Sequence, residues 1–150
     1  MPQSLSKVYV HIVFSTKYRQ SLIDDTIAVA LFEYIGGICR GLECNPVKVG
    51  GYRNHVHILC QLSRKITQMK LLEEIKKQSS KWIKTKGFSY ANFYWQDGYG
   101  IFSVNAGNAG GLISYIENQR EHHTRKAFED EFRGILKKHK VDYDERYVWD

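Results

Sequence analysis

Apolar residues recur with a period of two in four short stretches of the chain and at helical spacing in two long ones. Val8-Tyr9-Val10-His11-Ile12-Val13-Phe14, rich in β-branched and aromatic residues, predicts a first strand that exits through Ser15-Thr16-Lys17-Tyr18-Arg19. Asp24 or Asp25 can cap a helix over about residues 26–40, with Ile27, Leu31, Tyr34, Ile35 and Ile38 on one side and Gly41 closing it. Pro46-Val47-Lys48-Val49 predicts a second strand and Gly50-Gly51-Tyr52-Arg53 a turn, so the next strand folds back as a hairpin. That third strand is Asn54-His55-Val56-His57-Ile58-Leu59-Cys60-Gln61-Leu62. Its apolar set is Val56, Ile58, Cys60 and Leu62, so His55 and His57 project together from the opposite face. A helix over about residues 66–86 turns Met69, Leu72, Ile75, Trp82 and Ile83 inward and carries Lys70, Lys77, Lys81 and Lys84 on another face. After the aromatic cluster Phe93-Tyr94-Trp95, Ile101-Phe102-Ser103-Val104 predicts the fourth strand.

Strand, helix, strand, strand, helix, strand is the split βαβ order of an α+β, ferredoxin-like (RRM-like) βαββαβ antiparallel sheet. Both helices then cover one face, and the first and third strands lie at its centre. The apolar side of the third strand must meet the helices, which leaves His55 and His57 on an open face. Beyond the sheet, Asn105-Ala106-Gly107-Asn108-Ala109-Gly110-Gly111 predicts a flexible tether over about 105–111. Extra C-terminal helices follow, over about residues 112–124 and 126–139. Tyr115 and Gln119 are four apart on the first of these and share a face, with His122 a step further on. The aromatics of the tail 141–150 are expected to pack at the domain edge or a subunit contact.

A length of 150 residues fits a single domain, 1–150, with 43% hydrophobic and 25% charged residues. No apolar run approaches a bilayer span, and the amino terminus lacks a signal peptide's basic-then-apolar pattern, so a cytoplasmic protein without a membrane partner is expected. Three cysteines, Cys39, Cys44 and Cys60, cannot form a closed disulfide framework. The net charge of +6 favours a polyanionic partner, and Lys17, Arg19, Arg53, Arg64 and Lys65 are candidate phosphate contacts.

Two imidazoles aimed at one point from rigid backbone can ligate a metal; alternatively one satisfies a core hydrogen bond and the other is solvated. The residues alone leave three classes of function open. One is a metal-dependent enzyme acting on nucleic acid. The second is a non-catalytic RRM-like nucleic-acid-binding protein, against which stands the open face of the third strand, where His55, His57 and Gln61 would stack bases poorly. The third is a zinc-binding domain or hydrolase that joins Cys39 and Cys44 to the histidine pair.

His55-Val56-His57 in a strand, then Trp95-Gln96-x-Gly98-Tyr99-Gly100, Phe102-Ser103-Val104, a small-residue linker and Tyr115-Ile116-x-Asn118-Gln119-x-x-His122-His123 together resemble the single-tyrosine HUH transposases of small bacterial and archaeal insertion sequences. The resemblance spans essentially the whole chain. It implies that Tyr115 is the nucleophile and that His55, His57 and Gln119 hold a divalent metal, Mg²⁺ or Mn²⁺. It further implies attack on a phosphodiester of single-stranded DNA, a 5′-phosphotyrosine intermediate, a free 3′-OH and strand transfer. The implied partners are hairpin-bearing single-stranded DNA at insertion-sequence ends and a second copy of the chain, whose tyrosine helix could complete the site by exchange. The chain departs from the family pattern at Asn54, where an acidic residue is common. Asparagine can still orient an imidazole. His122 and His123 have no assigned role at this point, and Tyr94 and Tyr99 are expected to be structural.

Overall fold

Strand β1 (Tyr9–Ser15) lies between β3 (His55–Gln61) and β4 (Gly100–Val104), and β2 (Pro46–Tyr52) closes the other edge, giving the antiparallel order β2-β3-β1-β4. This is the ferredoxin-like sheet that the element order predicts, with the first and third strands at the centre. The computed structural model describes residues 2–123 and 125–150.

Helices α1 (Ala28–Gly41) and α2 (Gln68–Ile83) cover one face. The Asp24 carboxylate accepts from the Ile27 amide at 3.1 Å just before α1, and the Thr67 hydroxyl caps α2 by accepting from Lys70 N at 3.1 Å. Leu31, Ile35 and Ile38 of α1 and Leu71, Leu72, Ile75 and Ile83 of α2 join Val10, Ile12, Phe14, Val56, Ile58 and Cys60 in the main core. Met69 departs from expectation and is exposed. The buried stripe of α2 steps by four from Leu71 through Ile75 and Ser79 to Ile83, which leaves Met69 off its edge. Ser79 is the polar member of that stripe and accepts from the indole of Trp95 at 2.9 Å. Cys39, Cys44 and Cys60 are buried in this same core, across the sheet from the histidines, so a zinc set joining Cys39 and Cys44 to His55 and His57 is sterically excluded.

The second face of the sheet is covered as well, contrary to the expected open surface. Helices α3 (Ala109–Glu117), α4 (Gln119–His123) and α5 (Phe128–Lys138) lie over it. The physical reason is apolar demand: Val13 and Phe102 project from this side and pack with Phe128, Phe132 and Leu136 of α5 in a second core. Val148 and Trp149 pack against that cluster, which places the aromatic tail at the domain edge as expected. The expected tether holds a short turn, Ala106–Asn108, and helix already from Ala109, so residues 105–111 are mostly helical in place of an extended linker. The helix expected over 112–124 is interrupted at Asn118 (φ −95°, ψ 17°), and its expected end at Thr124 lies outside the described residues.

Two glycines let the third layer come close. Gly50 of β2, His57 of β3, Val13 of β1 and Gly100 of β4 form one row across the sheet. A Cβ on Gly50 would meet the Ile116 side chain of α3 at 2.7 Å, and one on Gly100 would meet the Phe132 ring of α5 at 2.7 Å. Among the described helices none is long and apolar enough to cross a membrane.

Candidate active site

His55 opens β3 and His57 follows on the same face, both fully buried beneath α3, α4 and α5. Each is oriented from behind. The Asn54 amide donates from Nδ2 to the Arg19 carbonyl at 3.3 Å, which turns its Oδ1 toward His55 Nδ1 at 2.9 Å. The proton of His55 therefore sits on Nδ1 and its Nε2 lone pair points into the site. His57 Nδ1 is 2.8 Å from Nε2 of His11, a buried histidine on β1. Burial, and then the neighbouring His57, push the His11 and His55 imidazoles down to about 3. Both are neutral at physiological pH.

Gln119, on α4, presents Oε1 2.8 Å from His55 Nε2, and its Nε2 donates to Glu131 Oε2 at 3.1 Å, fixing which end of the amide faces the imidazole. His123 Nδ1 donates to the Lys126 carbonyl at 2.6 Å, so its Nε2 lone pair also enters the site, 2.9 Å from the same Gln119 oxygen and 3.2 Å from Glu131 Oε1. Several acceptors with no hydrogen between them thus converge.

Glu131, missed in the sequence, lies at the centre. Its Oε1 is 3.1 Å from His57 Nε2 and 3.5 Å from His55 Nε2, and its Oε2 is 3.3 Å from His122 Nε2. Burial alone would raise its pKa, but the neighbouring His123 and His57 imidazoles outweigh this and hold the carboxyl well below the usual range. His55, His57 and Glu131 form one group of donors that could hold a metal ion, and His122, His123 and Glu131 form another. A signal was available: Phe128, Glu131, Phe132, Ile135 and Leu136 fall at helical spacing on one face, so a carboxylate occupies a core position of an amphipathic helix. The same holds for His11, which alternates in phase with Val13 on the histidine face of β1.

Tyr115 approaches from α3. Its ring stands edge-on to His57, with centroids 5.7 Å apart, and its hydroxyl donates to Glu131 Oε2. Burial and the Glu131 charge push the phenol above its ordinary range. Tyr115, His55, His57 and Gln119 thus meet within one chain. A cavity of about 750 Å³ opens onto Tyr115, His122 and Glu131, with Lys126, Lys138 and His139 in its walls.

The basic residues divide. Lys17, Arg19 and Arg53 lie at the end of the sheet where His55 sits; Arg19 and Arg53 line a second cavity of about 420 Å³ together with Tyr52, Asn54 and His123. Arg19 stacks on Trp149 and Arg53 on Tyr52, while Lys17 pairs with Asp97 at 3.5 Å. Arg64 and Lys65 follow the opposite end of β3, away from the tyrosine, and Lys65 pairs with Glu43 at 3.0 Å.

The family model described as "Transposase IS200 like" matches residues 4–119. No curated protein matches the chain. Among solved structures, the chain is similar to a candidate transposase from Deinococcus radiodurans R1, with 20% identity, TM-score 0.62, and 79% of this chain and 98% of that one covered. It is also similar to a REP-associated tyrosine transposase bound to a REP hairpin, with 17% identity, TM-score 0.59, and 82% and 73% of the two chains covered. At such identities the likeness speaks for the fold. His123 and Glu131 lie beyond the stretch the family model matches.

Proposed function

The chain belongs to the IS200-like transposase family, and from that premise we propose that it cuts and rejoins single-stranded DNA through a covalent bond to Tyr115. The observation that carries this reading is one shared carboxylate: Glu131 takes the Tyr115 hydroxyl on one oxygen and lies 3.1 Å from His57 Nε2 with the other. Nucleophile and imidazole pair are thereby held side by side.

The donor set fits a divalent cation, because His55 Nε2 and Gln119 Oε1 face each other as acceptors at 2.8 Å with nothing to donate between them. His55, His57 and Gln119 would hold Mg²⁺ or Mn²⁺, which when bound supplies Lewis-acid neutralisation of the scissile phosphate and leaving oxygen. Burial keeps His55 neutral and therefore able to ligate. Asn54 and His11 fix the rotations of the two imidazoles.

At rest Tyr115 is protonated, since its own pKa is raised and that of Glu131 is lowered. As the phenolic oxygen bonds to phosphorus its proton passes through Glu131 Oε2 to water, and the electron pair of the breaking P–O bond leaves on the 3′ oxygen, which takes up a proton from water. The products are a 5′-phosphotyrosine and a free 3′-OH. Attack by a different 3′-OH reverses these bonds, restores the phenol and joins two strands, with no nucleotide cofactor consumed.

The DNA proposed is a hairpin-bearing single strand at the ends of an insertion sequence. Arg19 and Arg53 beside the His123 cavity, with Lys17 near them, are the favoured phosphate contacts, and Arg64 and Lys65 would contact only a strand that runs along the sheet to its far end. A homodimer supplies a tyrosine for each of two strand ends. Within one chain the arrangement permits Tyr115 to serve its own histidines. A non-catalytic RRM-like binder is disfavoured because the sheet face on which bases would stack is covered by helices.

The test is to incubate the protein and Mn²⁺ or Mg²⁺ with end-labelled hairpin oligonucleotides and look for a denaturation-resistant adduct on the 5′ side of the break. The wild type is expected to form one; an adduct that survives Tyr115→Phe would overturn the assignment.

A further inference from the structure

We propose that Glu131 and His123, both outside the stretch shared with the family model, ligate the same cation as His55, His57 and Gln119. The inference rests on the reading above and adds to it who completes the site and which metal it prefers.

His123 Nδ1 is committed to the Lys126 carbonyl and His55 Nδ1 to Asn54, so both Nε2 atoms present lone pairs. They converge on Gln119 Oε1, at 2.9 Å and 2.8 Å, and on Glu131 Oε1, at 3.2 Å and 3.5 Å. Lone pairs set against lone pairs at contact distance repel in neutral surroundings, and a positive charge among them reverses the sign. Spacing agrees. Adjacent ligands of an octahedral cation with bonds of about 2.0–2.1 Å lie about 2.9 Å apart, and the contacts that Gln119 Oε1 and Glu131 Oε1 make with the imidazoles run from 2.8 to 3.5 Å, with His57 Nε2 at 3.1 Å from Glu131 Oε1.

Charge agrees too. Glu131 is a buried carboxylate whose surroundings are imidazoles, an amide and a phenol. A buried anion is retained when a cation shares its site. The carboxylate then does two tasks, one oxygen toward the metal position and the other on the Tyr115 hydroxyl, which ties the nucleophile to the cation. Three imidazole nitrogens beside two oxygens are softer than Mg²⁺ favours, so of the two cations considered the complete set prefers Mn²⁺ over Mg²⁺.

The test measures Mn²⁺ binding to the DNA-free protein by the loss of the free-ion electron paramagnetic resonance signal, with Mg²⁺ as competitor. His55→Ala is expected to abolish tight binding. Glu131→Gln and His123→Ala are each expected to weaken it tenfold or more, and His123→Ala to lessen the preference for Mn²⁺ over Mg²⁺. His139→Ala, on the wall of the neighbouring cavity, is expected to change the affinity less than twofold. Circular dichroism identifies any variant that has not folded, and His123→Gln, which retains an acceptor, replaces His123→Ala in that event, with partial recovery of affinity expected. Wild-type affinity in both Glu131→Gln and His123→Ala, with His55→Ala inactive in binding, overturns this inference alone and leaves the transposase reading standing. A wild type that binds no Mn²⁺ overturns it together with the metal part of that reading, while the adduct assay separately reports on Tyr115.

Discussion

The Tyr115 hydroxyl donates its proton to Glu131, a carboxylate 16 residues further along the chain and on a different helix. Removing that hydroxyl should separate chemistry from structure. Tyr115→Phe is expected to give no covalent adduct while still binding a hairpin oligonucleotide in a mobility-shift assay. Glu131 Oε2 keeps its bond from Gln119 Nε2, so the loss of stability in urea denaturation should be about 1–2 kcal/mol. Abolished hairpin binding would mean that the phenol holds the fold together, contrary to the role assigned to it.

The row across the sheet makes a second expectation. In Gly50→Ala the new methyl would stand 2.7 Å from the Ile116 side chain and 3.0 Å from its carbonyl oxygen, and the backbone oxygen cannot rotate away. Overpacking of this kind costs about 1–3 kcal/mol, and because Ile116 adjoins Tyr115 the adduct yield should fall as well. Equilibrium urea unfolding and the adduct assay on the same preparation would show whether both drop together.

Acid should unfold the protein early. His11 and His55 are held near 3 by burial and by His57, against 6.5 in an ordinary histidine, so between those values the unfolded chain binds two protons that the folded chain refuses. Stability present above pH 6.5 is therefore lost as pH falls toward 3, by up to about 1.4 kcal/mol per pH unit for each histidine. The depressed carboxyl of Glu131 acts in the same direction once pH drops below about 4.5. Urea midpoints measured from pH 7 to pH 5 should decline steadily, and a flat profile over that range in His11→Asn/His55→Asn would identify the groups responsible.

Asn54 tests the orientation of the first imidazole. Asn54→Ala frees His55 to carry its proton on either nitrogen, and losing such a supporting partner typically costs 10–100-fold in metal affinity. Asn54→Asp, which keeps an acceptor for Nδ1, should bind Mn²⁺ at least as well as the wild type. Equal affinity in all three proteins would show that the Arg19–Asn54–His55 chain does not set the tautomer.

The sheet and its first two helices were legible because each is governed by local periodicity: strict alternation in Val56, Ile58 and Cys60, and the spacing of Leu31, Ile35 and Ile38 in α1. His55, His57, Tyr115 and Gln119 were legible as a motif. The cover over the histidine face was not, because α5 docks through contacts far apart in sequence and its apolar stripe does not say what it rests on. Val13, Leu59 and Phe102 carried the clue, three apolar side chains on the face that bears His11, His55 and His57. Glu131 was hidden for the same reason: in a helix with many charges, a carboxylate draws notice only when its phase relative to Phe128 and Phe132 is counted.

Gly50 and Gly100 have a consequence for how DNA reaches the histidines. Between them the two missing side chains set the width of a slot whose floor is the sheet and whose walls are α3 and α5. Above those two glycines the sheet is closed, and the open side of the site is the cavity lined by Tyr115, His122 and Glu131.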